Sequence, residues 1–306
     1  MASGVNRYYS LNEYLQAEFG CKVYKIALQG GMTCPNRDGT LGRGGCLFCS
    51  HGGAGEFAVP PMPIDEQITM AIQKVKEKCK SGKYIAYFQN FTNTYAPVKR
   101  LRELFFEVIS HPSVAVLSIA TRPDCLPNDV LDLLCELNRI KPVWVELGLQ
   151  TIHQKTADFI RRGYDLDVYD QAVKELNARG IKVITHMILG LPNETAEEMI
   201  ATARYIGKSG AWGIKLQLLH VVKDSDLYPL YQQGKVPILS MEEYIQILGE
   251  CIKVLPPKMV IHRLTGDGDK RTLVAPLWSG DKKRVLQAIK ESFEREDVWQ
   301  GMALEK

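Results

Sequence analysis

The sequence predicts an α/β chain: six β–α units wound into a partial, TIM-like (β/α)6 barrel, with a short N-terminal and a C-terminal extension. Three observations predict it. Strand-like and helix-like segments alternate from residue 22 to residue 222. The strand-like segments are short and rich in Val, Ile and Leu, as strands buried on both faces of a parallel sheet are. Successive β–α units pack with right-handed crossovers, and two more would be needed to close an eight-stranded barrel.

Residues 1–21 form the N-terminal extension, and KVYKIAL (22–28) is the first strand, followed by a glycine-rich loop. Pro63 introduces IDEQITMAIQKVKEKC, whose apolar residues recur at helical spacing. KYIAYFQ (83–89) is a strand and a helix follows near 97–110. SVAVLSIA (113–120) is the third strand, LPNDVLDLLCELN a helix, and PVWVELGLQ (142–150) the fourth strand. Helical segments then run to Gly180, a C-cap. IKVITHMILG (181–190) is the fifth strand, and LPNE opens a helix with Glu194, Glu197 and Glu198 in its first turns, where the helix dipole favours them. WGIKLQLLHVV (212–222) is the sixth strand and ends the core at residue 222. The C-terminal extension, 223–306, carries helices near 240–254 and 281–295 and one short strand, MVIHRL, and is expected to pack on the core.

Of the 306 residues, 45% are hydrophobic and 24% charged, enough apolar material for a sizeable core. There is no apolar run of the roughly 18 residues a membrane span needs, and MASGVNRYYSLNEYL lacks a basic-then-apolar leader pattern. The expectation is a cytoplasmic protein without a membrane partner. A net charge of +3 is only mildly basic, where a dedicated nucleic-acid binder is more lopsided. Lys99, Arg100 and Arg102, and Lys282, Lys283 and Arg284, read as solvated helix faces.

The eight cysteines do not suggest a disulfide framework. Cys79 and Cys135 lie in helix-patterned stretches and read as buried small hydrophobes. Cys34, Cys46 and Cys49 differ, because they sit in the glycine-rich loop GGMTCPNRDGTLGRGGCLFCS. Thiolates suit zinc or an iron–sulfur cluster. Three of them satisfy three irons of a four-iron cube and leave the fourth open, whereas a structural zinc wants a fourth ligand, which His51 could supply. Spacing alone leaves both readings standing. In parallel α/β folds, chemistry gathers at the C-terminal ends of the strands. The cysteine loop, QNFTNTY, TRPD, GLQT, LGLPNE and HVVKD each follow or end one of the six strands. Lys215, His220, Arg263 and Asp267 stand near predicted strand ends as weaker substrate contacts. Glu146 points into the barrel by strand alternation, with Lys215 as its partner.

KVYKIALQGGMTCPNRDGTLGRGGCLFCS, with YYSLNEYLQAEFG, QNFTNTY, TRPDCL, VELGLQT, HMILGLPNET and HRLTGDGDKRTLVAPLWS, resembles the YhcC/YtqA (MnmL-like) family of radical S-adenosylmethionine (SAM) proteins. That family is related to the radical SAM domain of the Elongator catalytic subunit. The one visible departure is GGAGEFA where GSGDFA is expected. The resemblance implies a [4Fe–4S] cluster on Cys34, Cys46 and Cys49, with Phe48 the aromatic residue before the last ligand, and S-adenosylmethionine as cofactor. Similarity to coproporphyrinogen-oxidase-type enzymes places Thr92 and Asn93 of the Gln89–Thr94 loop at the SAM amino group. It places Gln150 facing the cofactor, Arg162 at the SAM carboxylate, His186 at the ribose in place of an acidic residue, and Gly190 and Leu219 beside the adenine. The implied reaction converts 5-carboxymethylaminomethyl-(2-thio)uridine at the tRNA wobble position to 5-aminomethyl-(2-thio)uridine. Its implied partners are the tRNA anticodon region, a reductant such as flavodoxin or ferredoxin, and a downstream tRNA methyltransferase. The rival readings are a radical SAM oxidoreductase acting on a tetrapyrrole or similar small molecule, and a zinc-binding RNA-interaction protein.

Overall fold

A computed structural model describes residues 6–53, 62–266 and 268–304. Most of GGAGEFA, and Asp267, lie outside the described residues. Seven parallel strands form one curled sheet: β1 (Tyr24–Leu28), β2 (Tyr84–Phe88), β3 (Val114–Thr121), β4 (Val143–Gln150), β5 (Lys182–Leu189), β6 (Gly213–Leu218) and β8 (Val260–Arg263), side by side in that order. Between β6 and β8, the short β7 (Val221–Val222) pairs antiparallel with β9 (Leu273–Ala275) in a separate two-stranded ribbon.

The sheet corrects two expectations. The sixth strand stops at Leu218, because the chain turns away there to make β7. MVIHRL belongs to the sheet itself, with Gly213, Ile214 and Lys215 of β6 registering against Val260, Ile261 and Arg263. The expected six-stranded core therefore gains its seventh strand from the segment assigned to the C-terminal extension. The N-terminal extension contributes α1 (Leu11–Phe19), capped by Ser10 and stopped by left-handed Gly20, and Ser10 bridges Ile261 of β8.

The crossover helices are α2 (Ile64–Val75), α3 (Val98–Ser110), α4 (Asn128–Asn138), the short α5 (Gln154–Phe159), α6 (Leu166–Ala178) and α7 (Ala196–Lys208). Helices α8 (Leu227–Gln232), α9 (Met241–Lys253) and α10 (Lys282–Arg295) complete the chain. Thr195 with Glu198, and Ser240 with Glu243, form reciprocal capping boxes that start α7 and α9. Glu194 thus precedes the helix and accepts a hydrogen bond from the Thr151 hydroxyl instead. Cys79 is buried in the turn after α2, while Cys135 on α4 is only half-buried.

Strand alternation divides the sheet into two faces. Outward residues such as Val145, Leu147, Val183, Met187, Ile214 and Leu216 join the helices in the main apolar core. The inward face is layered. At the bottom, Ile85, Val116, Trp144, Ile184 and Val260 pack together under Tyr14 and Leu15 of α1. One step up the strands turn polar, with Lys25, Tyr87, Ser118, Glu146, His186 and Lys215, and β8 supplies both His262 and, brought level with Lys215 by a register shift, Arg263. Above these, Ala27, Ala120 and Gly148 are small, which leaves the upper half of the barrel open.

Candidate active site

A cavity of about 610 Å³ occupies that open half, within the range of small-molecule sites. Cys34, Cys46, Phe48 and Cys49 line it at the mouth. The long cysteine loop reaches this position by folding back on itself. Arg37 N–H donates to Cys34 C=O (2.8 Å), Leu41 N–H to Pro35 C=O (2.8 Å) and Gly45 N–H to Asn36 C=O (2.8 Å). Gly39 and Gly45 take left-handed φ values of 99° and 75°, which a side chain would resist. Cys49 N–H closes the CLFC turn on Cys46 C=O at 3.0 Å.

The thiols of Cys46 and Cys49 share a hydrogen bond that pulls Cys46 down to about 6, against the effect of its burial. Arg122, Asn36 and Arg37 add to that lowering, and Asn36 Nδ2 donates to Cys46 Sγ at 3.5 Å. Cys49 is pushed well up by the same hydrogen bond and by burial. A cysteine already inclined to thiolate is the form that ligates a metal centre. His51, the fourth ligand that a zinc site would want, is 86% exposed at its side chain and beside Asp224. Among the described residues, no three of His, Cys, Asp and Glu gather at the spacing of a single-ion site.

The expected cofactor contacts divide. Thr92 and Gln150 line the cavity, as do Leu219 and His186. Gln150 has φ 69°, and its buried Oε1 has no hydrogen-bond partner, so the wall presents an acceptor awaiting a donor. Asn93 points elsewhere. Its Nδ2 donates to Phe88 C=O (3.2 Å) and Ala120 C=O (2.9 Å), tying β2 to β3. Gly190, at φ 87°, is set back from the wall against Leu239.

Arg162 lines the cavity as well, with its donors directed at backbone carbonyls. Its Nε and Nη2 donate to Tyr164 C=O (3.0 and 2.8 Å), and its Nη1 to Thr151 C=O (2.6 Å) and Leu149 C=O (3.3 Å). The guanidinium is thus a strut that holds the end of β4 to the following loop. Its own carbonyl accepts from Arg122 Nη1 (2.8 Å) and Asn36 Nδ2 (3.3 Å), joining three loops behind the cysteines. Arg122 is clamped by Asp124 at 2.7 and 2.9 Å and is one of the cations that act on Cys46. Asn36 and Arg122 stand in CPNRDG and TRPD, so the motifs flagged their loops but not their roles.

Beneath the mouth lies the polar layer. Glu146 is fully buried and accepts from Lys25 Nζ (2.9 Å), Ser118 Oγ (2.7 Å), His186 Nε2 (2.7 Å) and Lys215 Nζ. The expected Glu146–Lys215 pair is therefore present, within a larger cluster. Lys215, Lys25 and His186 hold Glu146 well below the usual carboxylate range despite its burial. Burial lowers His186 to about 4, and the nearby Lys215 adds to that. His220 and Arg263 line the same cavity, His220 lying against Gly266 and Gly268. His262, which the sequence motifs did not single out, lines it too and stands edge-on to Trp144 and Trp212. Lys25 and Tyr87 were likewise unflagged, although a lysine among the apolar residues of KIAL is the signal that finds Lys25.

Comparison with known proteins places this geometry. The Radical SAM superfamily profile matches residues 36–206, and the Radical_SAM C-terminal domain profile matches residues 211–295. The chain is 46% identical over 298 residues to the uncharacterized protein YtqA of Bacillus subtilis, covering 96% of this chain and 92% of that one. It is 40% identical over 291 residues to protein YhcC of Escherichia coli, covering 95% and 93%. A tRNA uridine(34) acetyltransferase of Methanocaldococcus jannaschii is 26% identical over 164 residues, 53% of this chain and 30% of its own length. The solved structure of Elp3 from the archaeon Methanocaldococcus infernus superposes with a TM-score of 0.67 at 16% identity, over 91% of this chain and 64% of that one, a likeness of fold. Among the described residues, no helix is long and apolar enough to cross a membrane.

Proposed function

The chain belongs to the radical SAM superfamily, beside YtqA and YhcC, and from that premise we propose that this enzyme trims the modified wobble uridine of tRNA. Its substrate in this reading is 5-carboxymethylaminomethyl-uridine, 2-thiolated or not, and its product the 5-aminomethyl form. The observation that carries the reading is one continuous cavity joining Cys34, Cys46 and Cys49 to a polar layer rich in cations. A base with a small anionic arm has a place there, and the similarity to a tRNA uridine(34) enzyme supports that position of tRNA.

Radical SAM proteins work with a [4Fe–4S] cluster and SAM. The residues fit that pair: three thiols lining one cavity, one of them drawn toward thiolate, and a buried Gln150 acceptor without a donor. Cys34, Cys46 and Cys49 would hold the cluster, with Phe48, Thr92 and Gln150 along the cofactor's side of the cavity. When bound, the pair supplies a 5′-deoxyadenosyl radical able to take a hydrogen atom from a C–H bond.

The chain's own contribution is enclosure and orientation. Arg162, Arg122 and Asn36 fix the loops that carry the cysteines. The small Ala27, Ala120 and Gly148 leave room below them. The target base must leave its stack to enter, as enzymes acting on bases require. The methylene between the arm's amine and carboxylate carries the weak C–H bond. Its loss of a hydrogen atom and one further electron, both taken up in the conversion of SAM to methionine and 5′-deoxyadenosine, gives an imine. Hydrolysis of the imine releases the carboxymethyl unit as glyoxylate and leaves a primary amine for a separate tRNA methyltransferase. In this reading the enzyme works in the cytoplasm, with flavodoxin or ferredoxin as reductant.

The test is nucleoside mass analysis of tRNA incubated with reconstituted protein, SAM and reductant. Conversion of the carboxymethylaminomethyl nucleoside to the aminomethyl nucleoside is expected. An unchanged nucleoside overturns the reading. Binding of tRNA that weakens steeply with salt would further separate it from a tetrapyrrole substrate.

A further inference from the structure

Among the described residues, Cys46 is the one cysteine of the three whose sulfur receives an N–H donor. The donor is Asn36 Nδ2, at 3.5 Å, a hydrogen-bonding separation for an atom as large as sulfur. Asn36 is 5% exposed, so water does not compete for the contact. Its amide can sit only one way round. One end faces the carbonyl oxygens of Arg161 (2.7 Å) and Arg162 (3.3 Å), so that end is the NH2. One of its hydrogens goes to Arg161 C=O, and the other is left between Arg162 C=O and Cys46 Sγ.

The backbone after α5 is bent to build this seat. Arg161 takes a left-handed φ of 59°, which a side chain resists, and its carbonyl is the one that fixes the amide. Gly163 follows at φ 79°, and a Cβ there would stand 3.0 Å from Asn36 Oδ1. The Cys46 thiol also points its hydrogen at Arg161 C=O, at 3.7 Å. Once Cys46 and Cys49 ligate, their thiol hydrogens are gone. The Asn36 N–H is then the remaining hydrogen-bond partner of the Cys46 sulfur among the described residues.

We propose that Asn36 makes the cluster on Cys34, Cys46 and Cys49 easier to reduce, by donating an N–H to the Cys46 sulfur. Reduction adds negative charge that spreads onto the ligating sulfurs, and a donor aimed at one of them favours the more negative state. The incoming electron comes from a low-potential one-electron donor. It leaves into the SAM sulfonium, whose C–S bond breaks to give methionine and the 5′-deoxyadenosyl radical. Asn36 gains and loses neither electron nor proton and is a positioning residue. Nothing in this role depends on the wobble-uridine substrate; it needs only the three-cysteine cluster.

The test is an anaerobic redox titration of the reconstituted full chain without SAM, followed by electron paramagnetic resonance of the reduced cluster. Asn36→Leu keeps the side chain's size and removes the donor. At a given potential its reduced-to-oxidised ratio should be about tenfold lower than that of wild type, a midpoint about 59 mV more negative, with iron content unchanged. Arg162→Lys loosens the same loops but keeps Asn36 and the positive charge, and should shift that ratio by less than about threefold. An unchanged midpoint in Asn36→Leu, or an equal shift in Arg162→Lys, would overturn the role. If Asn36→Leu takes up no iron, wild type labelled with nitrogen-15 at its asparagine side chains decides. Its reduced cluster should show a weak nitrogen-15 coupling in pulsed spectra, and the absence of that coupling overturns the role. A wild type without a cluster would sink the cysteine reading as well, whereas a midpoint indifferent to Asn36 leaves SAM cleavage standing.

Discussion

The mouth of the cavity and the layer beneath it are built in opposite ways. At the mouth, position comes from irregular backbone: left-handed glycines, a loop folded back on itself, and Arg162 spent on carbonyl oxygens. In the layer, position comes from parallel strands in register, each of the seven supplying polar side chains and β8 supplying two, His262 and Arg263. The mouth gathers three soft cysteine sulfurs, and the layer gathers charged side chains around Glu146. Damage at the mouth should therefore abolish chemistry and spare the fold. Damage in the layer should reach stability first.

The largest effect is expected at the mouth. Replacing Cys34, Cys46 or Cys49 by Ala should lower 5′-deoxyadenosine formation by roughly a thousandfold or more. The melting midpoint should change by less than about 1 kcal/mol equivalent, as partly exposed loop substitutions do. His51→Ala, on the same loop but turned to solvent, should leave iron content unchanged. Iron loss in His51→Ala would contradict a three-cysteine centre.

Next comes Glu146→Gln, which leaves two lysines facing a neutral group. Breaking a buried ion pair on one side costs about 3–5 kcal/mol, measurable by urea unfolding. Removing both partners, Glu146→Leu with Lys215→Met, should recover most of that loss. If the double variant is as unstable as the single, the layer is held by something other than its charge pairs.

Arg162→Met sharpens the division within the mouth. Losing a strut to several buried carbonyls should cost about 2–3 kcal/mol, while SAM affinity of the folded protein changes less than about threefold. The opposite pattern, unchanged melting with weakened SAM binding, would restore the carboxylate contact implied by family resemblance.

The smallest effect is a pH dependence. His186, near 4 in the folded protein and 6.5 at its ordinary value, binds fewer protons when folded over that interval. Stability must then fall as pH drops from about 6.5 toward 4. His186→Asn should flatten this slope, narrowing the difference by up to about 2 kcal/mol at pH 4. Parallel curves for the two proteins would show that His186 does not titrate in this way.

How legible each region was follows from the same contrast. The cysteines stood out in the sequence because thiols in a glycine-rich loop have few structural uses, and the structure brings all three to one cavity. The parallel sheet was readable because apolar strands alternate with helices. MVIHRL was misplaced because a four-residue strand after a long excursion carries no β–α rhythm. The bracing by Arg162 was not readable, because sequence cannot say where a guanidinium's donors are spent. Glu146 and Lys215 were paired in advance, since both are charges inside apolar strands. Lys25, Tyr87 and His262 were not, because the layer exists only once seven strands from distant parts of the chain come into register.

The central claim is that three cysteines share one cluster whose open iron faces SAM. The most direct measurement is iron, sulfide and 5′-deoxyadenosine on the same anaerobically reconstituted samples, for wild type and the three single Cys→Ala variants. About four iron and four sulfide per wild-type chain are expected, with SAM cleavage, and cleavage should be lost in every variant. Undiminished cleavage in any one of them, or a colourless wild type carrying zinc, would contradict the claim.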